Sequence, residues 1–320
     1  MNTHPGALKV SVIIPLYNKG PYIARALDSV LAQTVQEFEI IIVDGGSTDE
    51  SLDVAACYTD PRITCFRQEG KGVSQARNQG VKRARAELIA FLDADDRWYP
   101  DFLETVLCLR EKFPEAGMYG TGYQICDGTT TQDMTYKPDL GERMLDSYYH
   151  DEIDYRNMLF LPSSSAVDKN TCIEIGGWAE DVRRGEDQDF FARTAFSSSI
   201  VYSPKVCAVN YLDTMNNSSH VYSHMESPFL EMIASLDSKE LHKRHDADEI
   251  IHYCDWKNGM ISLRYNHSDK KLAQKHIKYI RSVPLKYIFT ILSSLPVSLY
   301  DEILHAVRKV KRQKQMPLKK

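Results

Sequence analysis

Several acidic and basic clusters in this 320-residue chain have residue types and spacings suited to chemistry. Asp93-Ala94-Asp95 follows the apolar run 88–92. Two carboxylates at i and i+2 beyond a buried strand can share a divalent cation and a diphosphate bound to it, and hard oxygen ligands suit Mg2+ or Mn2+. Such a cation offsets the negative charge that grows on a departing diphosphate. An acidic triplet is also an ordinary solvated turn or helix cap, so its neighbours decide its meaning. Asp44 closes another apolar run just before Gly45-Gly46. A carboxylate there can accept hydrogen bonds from a base or ribose, or belong to a tight turn alone. Lys71, between Gly70 and Gly72, and Arg77 beyond it are placed to meet phosphate near a helix start; the plain alternative is a solvated basic face. Gly185-Glu186-Asp187 brings two acids to another helix start, with Asp189 close behind. Acids there commonly just complement the helix dipole, yet a carboxylate can also take the proton of an attacking hydroxyl.

These clusters need a scaffold that gathers them, and the first third of the chain predicts one. Val10-Ser11-Val12-Ile13-Ile14, Phe38-Glu39-Ile40-Ile41-Ile42-Val43 and Leu88-Ile89-Ala90-Phe91-Leu92 are nearly continuous apolar runs, the signature of strands buried on both faces. A shorter strand is predicted over residues 63–66. Between the runs, Ile23, Ala26, Leu27, Val30 and Leu31 recur at helical spacing, as do Val73, Ala76, Gly80, Val81 and Ala84. Ser47-Thr48-Asp49-Glu50 fits a capping box in which Ser47 and Glu50 open the next helix. Alternating strands and helices with short connections predict an α/β fold with a mostly parallel sheet flanked by helices. Such sheets bind ligands at the carboxyl ends of their strands. Pro15-Leu16-Tyr17-Asn18, the Asp44 cluster and the Asp93 cluster all fall at those ends.

Beyond Met118 the pattern changes. Strands are predicted over residues 118–125 and 201–209, separated by a polar, turn-rich stretch over 128–142. Phe190, Phe191, Thr194 and Ala195 give the apolar face of a helix starting near Asp187. From about Pro228 the chain reads as helical, which predicts a catalytic α/β domain over 1–225 and a helical extension over 226–320. From 269 to 320 there are 13 Lys/Arg against three acids, around an apolar, proline-interrupted stretch. That combination fits either an interfacial membrane helix pair or a packed helix followed by a solvated basic tail.

Composition narrows the class. Hydrophobic residues at 43% and charged residues at 26% are an ordinary globular balance, and a net charge of -5 carries no nucleic-acid signature. Seven scattered cysteines with no CxxC pair argue against a zinc site or disulfide framework and predict reduced, mostly packed thiols. No basic start with a following apolar core marks a signal peptide, and no uninterrupted apolar stretch approaches the roughly 20 residues of a spanning helix. The expected location is cytoplasmic, with peripheral association at the inner face of the membrane if the basic segment binds lipid.

Taken in order, residues 10–18, Asp44-Gly45-Gly46-Ser47-Thr48-Asp49, residues 72–78, residues 88–98, Gly176-Gly177-Trp178 and Gly185-Glu186-Asp187 resemble the successive motifs of family-2 glycosyltransferases with the GT-A fold. The resemblance runs from about residue 10 to 209. It implies inverting transfer from a nucleoside-diphosphate sugar, UDP-linked foremost, usually with Mg2+ or Mn2+, to a hydroxyl of a glycan or lipid-linked glycan in polysaccharide assembly. It places Pro15, Tyr17, Asn18, Asp44, Lys71, Arg77, Asp93 and Ala94 around the nucleotide sugar, and Asp95 and Asp93 on the metal. Asp187 becomes the base, with Glu186 holding donor or acceptor hydroxyls. His220 is a further candidate metal ligand, with His224 as its rival and a plain polar loop as the alternative. One departure stands out: the family commonly has two acids before the glycine of the second motif, and Gly45 takes the second place here, which leaves base preference open. Two other readings share the fold. One is a catalytically inactive nucleotide-sugar-binding or scaffold protein, against which Asp93, Asp95, Glu186 and Asp187 all speak. The other is a nucleotidyltransferase, which usually carries a Gly-rich basic loop where Pro15-Leu16-Tyr17-Asn18 stands.

Overall fold

The structure is a computed structural model that describes residues 7–155, 157–182, 185–214, 227–265 and 270–294. The chain divides into two compact units, residues 1–229 and 230–320.

The first unit is built on one mixed sheet. Its elements run β1 (Val10–Leu16), α1 (Gly20–Leu31), β2 (Phe38–Asp44), α2 (Ser51–Ala56), β3 (Ile63–Arg67), α3 (Val73–Arg83), β4 (Leu88–Phe91), β5 (Arg97–Trp98), α4 (Phe102–Lys112) and β6 (Met118–Cys126). They continue with β7 (Thr131–Met134), β8 (Arg143–Met144), α5 (Tyr148–Tyr155), β9 (Ser165–Asp168), α6 (Lys169–Glu174), α7 (Glu186–Ser197) and β10 (Ile200–Tyr211). The strand order is β3-β2-β1-β4-β9-β6-β10-β5, with β7 on β6 and β8 on β10. β1, β2, β3 and β4 are mutually parallel, as the continuous apolar runs predict. β9 runs antiparallel to both β4 and β6 and joins this half to the parallel pair β6 and β10.

Val10, Val12 and Ile14 of β1 and Ile40 and Ile42 of β2 pack against Ile23, Leu27 and Val30 of α1, all fully buried. Burying each such side chain is worth about 1.5–3 kcal/mol, so this half is the firm platform from which the loops project. On the other flank, Trp178 stacks flat on Phe190 with ring centroids 4.1 Å apart and meets Phe91 edge-on at 5.1 Å. These contacts tie the Gly176-Gly177-Trp178 segment to the start of α7 and to β4.

Two expectations change. The capping box does not form: α2 starts at Ser51, and the Ser51 amide donates to Asp49 Oδ1 at 3.1 Å. Ser47 and Asp49 instead receive amides from the loop after β1, as described below. The polar stretch over 128–142 contains β7, whose residues pair antiparallel with residues 123–126 of β6. The cysteines are all free; Cys126, Cys172, Cys207 and Cys254 are buried or half-buried, in line with mostly packed thiols, while Cys57, Cys65 and Cys108 are exposed, Cys65 on β3 at the edge of the described sheet.

The second unit holds α8 (Pro228–Ser235, whose first residues close the first unit), α9 (Ser238–Leu241), α10 (Ala247–Tyr265), α11 (Lys270–Tyr279) and α12 (Val283–Ser294). Its small core pairs Ile280 and Phe289 with Met260 and Leu285. The buried Asp255 of α10 accepts the amides of Arg281 at 2.7 Å and Ser282 at 2.6 Å, satisfying donors at the start of α12. No described helix is long and apolar enough to cross a membrane.

Candidate active site

The loops after β1 and β2 are welded together. Asn18, in the left-handed region at φ 50°, donates its amide to Ser47 Oγ at 3.0 Å and accepts the Thr48 amide on Oδ1 at 2.8 Å. The Lys19 amide donates to Ser51 Oγ at 2.8 Å, the Gly20 amide to Asp49 Oδ2 at 3.0 Å, and the Gly45 amide to the Leu16 carbonyl at 2.7 Å. The polar residues that suggested a helix cap therefore fix the path of the first loop. Asp44 is buried at the end of β2. Its carboxylate accepts the Ser47 amide at 3.0 Å and the Gly46 amide at 3.2 Å and pairs with Arg67 at 3.2 Å. Gly46 sits at φ 98°, a conformation that favours glycine, and a Cβ there would lie 3.0 Å from the Arg67 guanidinium. Asp44 thus braces its own turn and pairs with the exposed Arg67.

At the end of β4 the acidic residues divide their work. Asp95 Oδ2 lies 2.5 Å from the Lys19 ammonium and accepts the Thr214 hydroxyl at 2.7 Å. Arg25 donates to the Asp95 carbonyl, and its guanidinium lies over the Tyr211 ring at 3.5 Å. Asp96 turns inward: it accepts Ser163 Oγ at 2.5 Å, Asn210 Nδ2 at 3.0 Å and the Tyr211 amide at 3.3 Å. Burial, then the charges of Asp93 and Asp95, push its carboxyl well above the usual range. The Ser163 hydroxyl also accepts the Asp93 amide at 3.1 Å, and the Ser163 carbonyl accepts Trp98 Nε1 at 2.6 Å. One buried serine therefore fixes both ends of the acidic turn.

Arg77 joins this turn to α7. Its buried guanidinium donates to Asp93 Oδ1 at 2.7 Å, stands 3.8 Å from Glu186 Oε1, and lies 4.3 Å above the Trp178 ring. Its Nε and Nη1 are buried with no hydrogen-bond partner among the described residues. Asn78, next along α3, accepts the Trp178 amide at 2.8 Å and donates to the Trp178 carbonyl at 2.8 Å. Gly177 makes this approach feasible: it has φ 68°, and a Cβ would sit 2.5 Å from Asn78 Oδ1. Glu186 opens α7 beside Asp187. Burial and the Asp187 charge push the Glu186 carboxyl up to about 7, against the opposing pull of Arg77. Asp189, one turn along, is buried and structural: it pairs with Arg193 at 2.7 Å and accepts Ser227 Oγ and the Phe229 amide.

The fold thus links Asn18, Asp93, Asp95, Arg77 and Glu186 through direct contacts and neighbouring residues, with Asp187 beside Glu186. Pro15 lies one residue before the end of β1, Tyr17 is exposed just beyond the strand, and Ala94 is buried between the two site acids. Lys71 is exposed on the loop before α3. His220 and His224 lie outside the described residues. Among the described residues no group of three or more His, Cys, Asp or Glu side chains could hold a metal ion. Asp93 and Asp95 nonetheless present hard carboxylate oxygens at a partly open strand end, each facing a cationic side chain. That donor chemistry suits Mg2+ or Mn2+. Lys19, Arg25, Asp96, Ser163 and Asn78 were not anticipated. Lys19 was within reach, since it follows Asn18 at a strand end already marked as functional.

A family model described as "Glycosyl transferase family 2" matches residues 11–172. An uncharacterized glycosyltransferase of Rickettsia felis is 33% identical over 195 residues, covering 60% of this chain and 31% of that one. The chain spans less than a third of the length of this and two further curated glycosyltransferase relatives. Among solved structures, S. aureus TarS 1–349 in complex with UDP-GlcNAc superimposes with a TM-score of 0.66 at 20% identity, covering 85% of this chain and 79% of that one. The mannosyltransferase PcManGT from Pyrobaculum calidifontis, in complex with GDP-Man and Mn2+, gives a TM-score of 0.54 at 17% identity, covering 90% and 80%. At these identities the likeness is one of fold.

Proposed function

Because this chain belongs to glycosyl transferase family 2, we propose that it moves one sugar from a nucleoside-diphosphate sugar, UDP-linked foremost, to a hydroxyl of a glycan or lipid-linked glycan, with inversion at the anomeric carbon. The observation that carries this reading is the meeting of Asp93 and Glu186, remote in sequence, on the buried Arg77 guanidinium. The UDP-GlcNAc held by TarS and the GDP-Man and Mn2+ held by PcManGT supply the donor and metal classes.

In this mechanism Asp187 accepts the proton of the acceptor hydroxyl as its oxygen attacks the anomeric carbon from the face opposite the diphosphate. Glu186, neighbouring Asp187 and pushed up to about 7, holds a proton near neutrality and can donate a hydrogen bond to a sugar hydroxyl. Asn18 and Tyr17 on the first loop, Asp44 on the second and Lys71 before α3 surround the nucleotide, and Arg77 fixes Asp93 toward the ribose or metal. Asp95 and Asp93 would hold Mg2+ or Mn2+, which when bound offsets the charge of the leaving diphosphate. Holding two substrates in line and stabilising the leaving group carry most of the acceleration.

The test is release of nucleoside diphosphate from a panel of UDP- and GDP-sugars, with and without Mn2+, alongside thermal shift with each donor. A donor that raises the melting temperature and is hydrolysed slowly without acceptor supports transfer. Binding without release under every condition assigns a donor-binding protein instead, and no binding by any nucleotide sugar removes the reading.

A further inference from the structure

The second unit presents an apolar helix face that its own core does not use. α12 packs Leu285 and Phe289 inward, toward Ile280 and Met260, with the Phe289 ring 6.0 Å from that of Trp256. Gly259 on α10 makes room for it, since a Cβ there would lie 2.1 Å from the Phe289 ring. On another side of the same helix, Val283 is 76% exposed, Tyr287 69% and Ile288 48%, with Pro284 exposed between them. Positions i, i+1, i+4 and i+5 form one continuous stripe on a helix. Among the described residues this helix is apolar on two faces, one of them exposed, which suits it to a further partner.

Charge points to the kind of partner. From residue 270 to 300 the sequence carries six Lys/Arg and no Asp or Glu. Lys271 and Lys278 of α11 are exposed, and Lys286 lies on α12 itself. A second copy of the chain docking through this stripe would bring two like-charged, acid-free segments together, which disfavours self-association there. Lys275 pairs with Glu231 at 2.9 Å, which leaves Lys271 and Lys278 as exposed cations of α11. An anionic lipid surface is complementary on both counts: it accepts the apolar stripe at the depth of its headgroups and attracts the exposed lysines of the same unit.

We propose that the face of α12 formed by Val283, Pro284, Tyr287 and Ile288, together with the exposed lysines of the same unit, is a docking surface for anionic membrane lipid. The inference concerns the second unit alone and does not depend on the transfer reaction.

Vesicle flotation of the full chain tests it, using phosphatidylcholine vesicles and an equimolar mixture with phosphatidylglycerol. The full chain floats with the anionic vesicles, less so as salt rises, and not with phosphatidylcholine alone. Tyr287→Glu/Ile288→Glu lowers the anionic partition coefficient by at least about tenfold, and Lys271→Glu/Lys278→Glu removes most of the salt-sensitive part. An unchanged circular dichroism spectrum and melting temperature show that these exposed substitutions leave the fold intact. Equal partition of the full chain and Tyr287→Glu/Ile288→Glu overturns the proposal, as does absence of binding to anionic vesicles. A dimer that Tyr287→Glu/Ile288→Glu splits, without vesicle binding by either protein, also overturns it and assigns the face to a second copy.

Discussion

Replacing Glu186 by Gln changes stability in a way that depends on pH. In the folded chain, burial and the neighbouring Asp187 charge raise the Glu186 carboxyl from 4.5 to about 7, with Arg77 opposing. Unfolded, the same group titrates near its ordinary value. Between those two pH values the folded chain keeps a proton that the unfolded chain has released, so stability falls as pH rises through that window. At about 1.4 kcal/mol per pH unit, the loss is under about 1 kcal/mol at pH 5 and about 3 kcal/mol by pH 8. Gln is neutral throughout and escapes it. Glu186→Gln is therefore expected to match the parent closely at pH 5 and to exceed it by about 3 kcal/mol at pH 8. Urea unfolding at both pH values measures this, and thermal melts follow at about 2–4 °C per kcal/mol for a domain of this size. A variant less stable than the parent at pH 8 would mean that Glu186 is ionised and that its attraction to Arg77 outweighs burial. A difference of the same size at both pH values would mean that Glu186 does not titrate in this range.

Other substitutions probe the same region. Asp187→Asn is expected to lower turnover by about 10²–10⁴-fold while donor affinity, measured by calorimetry, stays within about twofold; normal turnover removes Asp187 from the base role. Arg77→Ala strands Asp93 and Glu186, and because Asp93 is 31% exposed the cost is about 2–4 kcal/mol, short of the full value for a buried pair. Urea midpoints would show it, and a cost within experimental error would mean that Arg77 does not join the two acids. Gly177→Ala places a Cβ at a left-handed φ and against Asn78, and should cost about 1–3 kcal/mol; a neutral melting curve would show that the Asn78 contact yields freely.

The parallel half of the sheet was legible because β1, β2 and β4 are written as uninterrupted apolar runs, which only burial on both faces explains. Asp93, Asp95, Glu186 and Asp187 were legible because acids at strand ends and helix starts fall on one edge of such a sheet. The capping box misled because Ser47 and Asp49 have the same donors and acceptors whether they serve their own helix or a neighbouring loop. Local sequence does not distinguish the two. Arg77 was read as a phosphate or nucleotide ligand, with a solvated basic face as the alternative, yet its surroundings (Trp178 above, Asp93 and Glu186 beside it) arrive from positions up to 109 residues away and have no local trace. β7 and β9 were missed because, unlike the equally short β4, they carry no apolar run: their sequences are Thr-Gln-Asp-Met and Ser-Ala-Val-Asp.

Lys19 hangs by its backbone from Ser51 while its ammonium rests on Asp95. The distance the ammonium must span is therefore set in part by a hydroxyl at the start of α2, and not only by the acidic turn it serves. A change at Ser51 can loosen or tighten the electrostatic tether on Asp95 with every carboxylate left in place, so the tuning of this strand end is partly written in the first residue of a neighbouring helix.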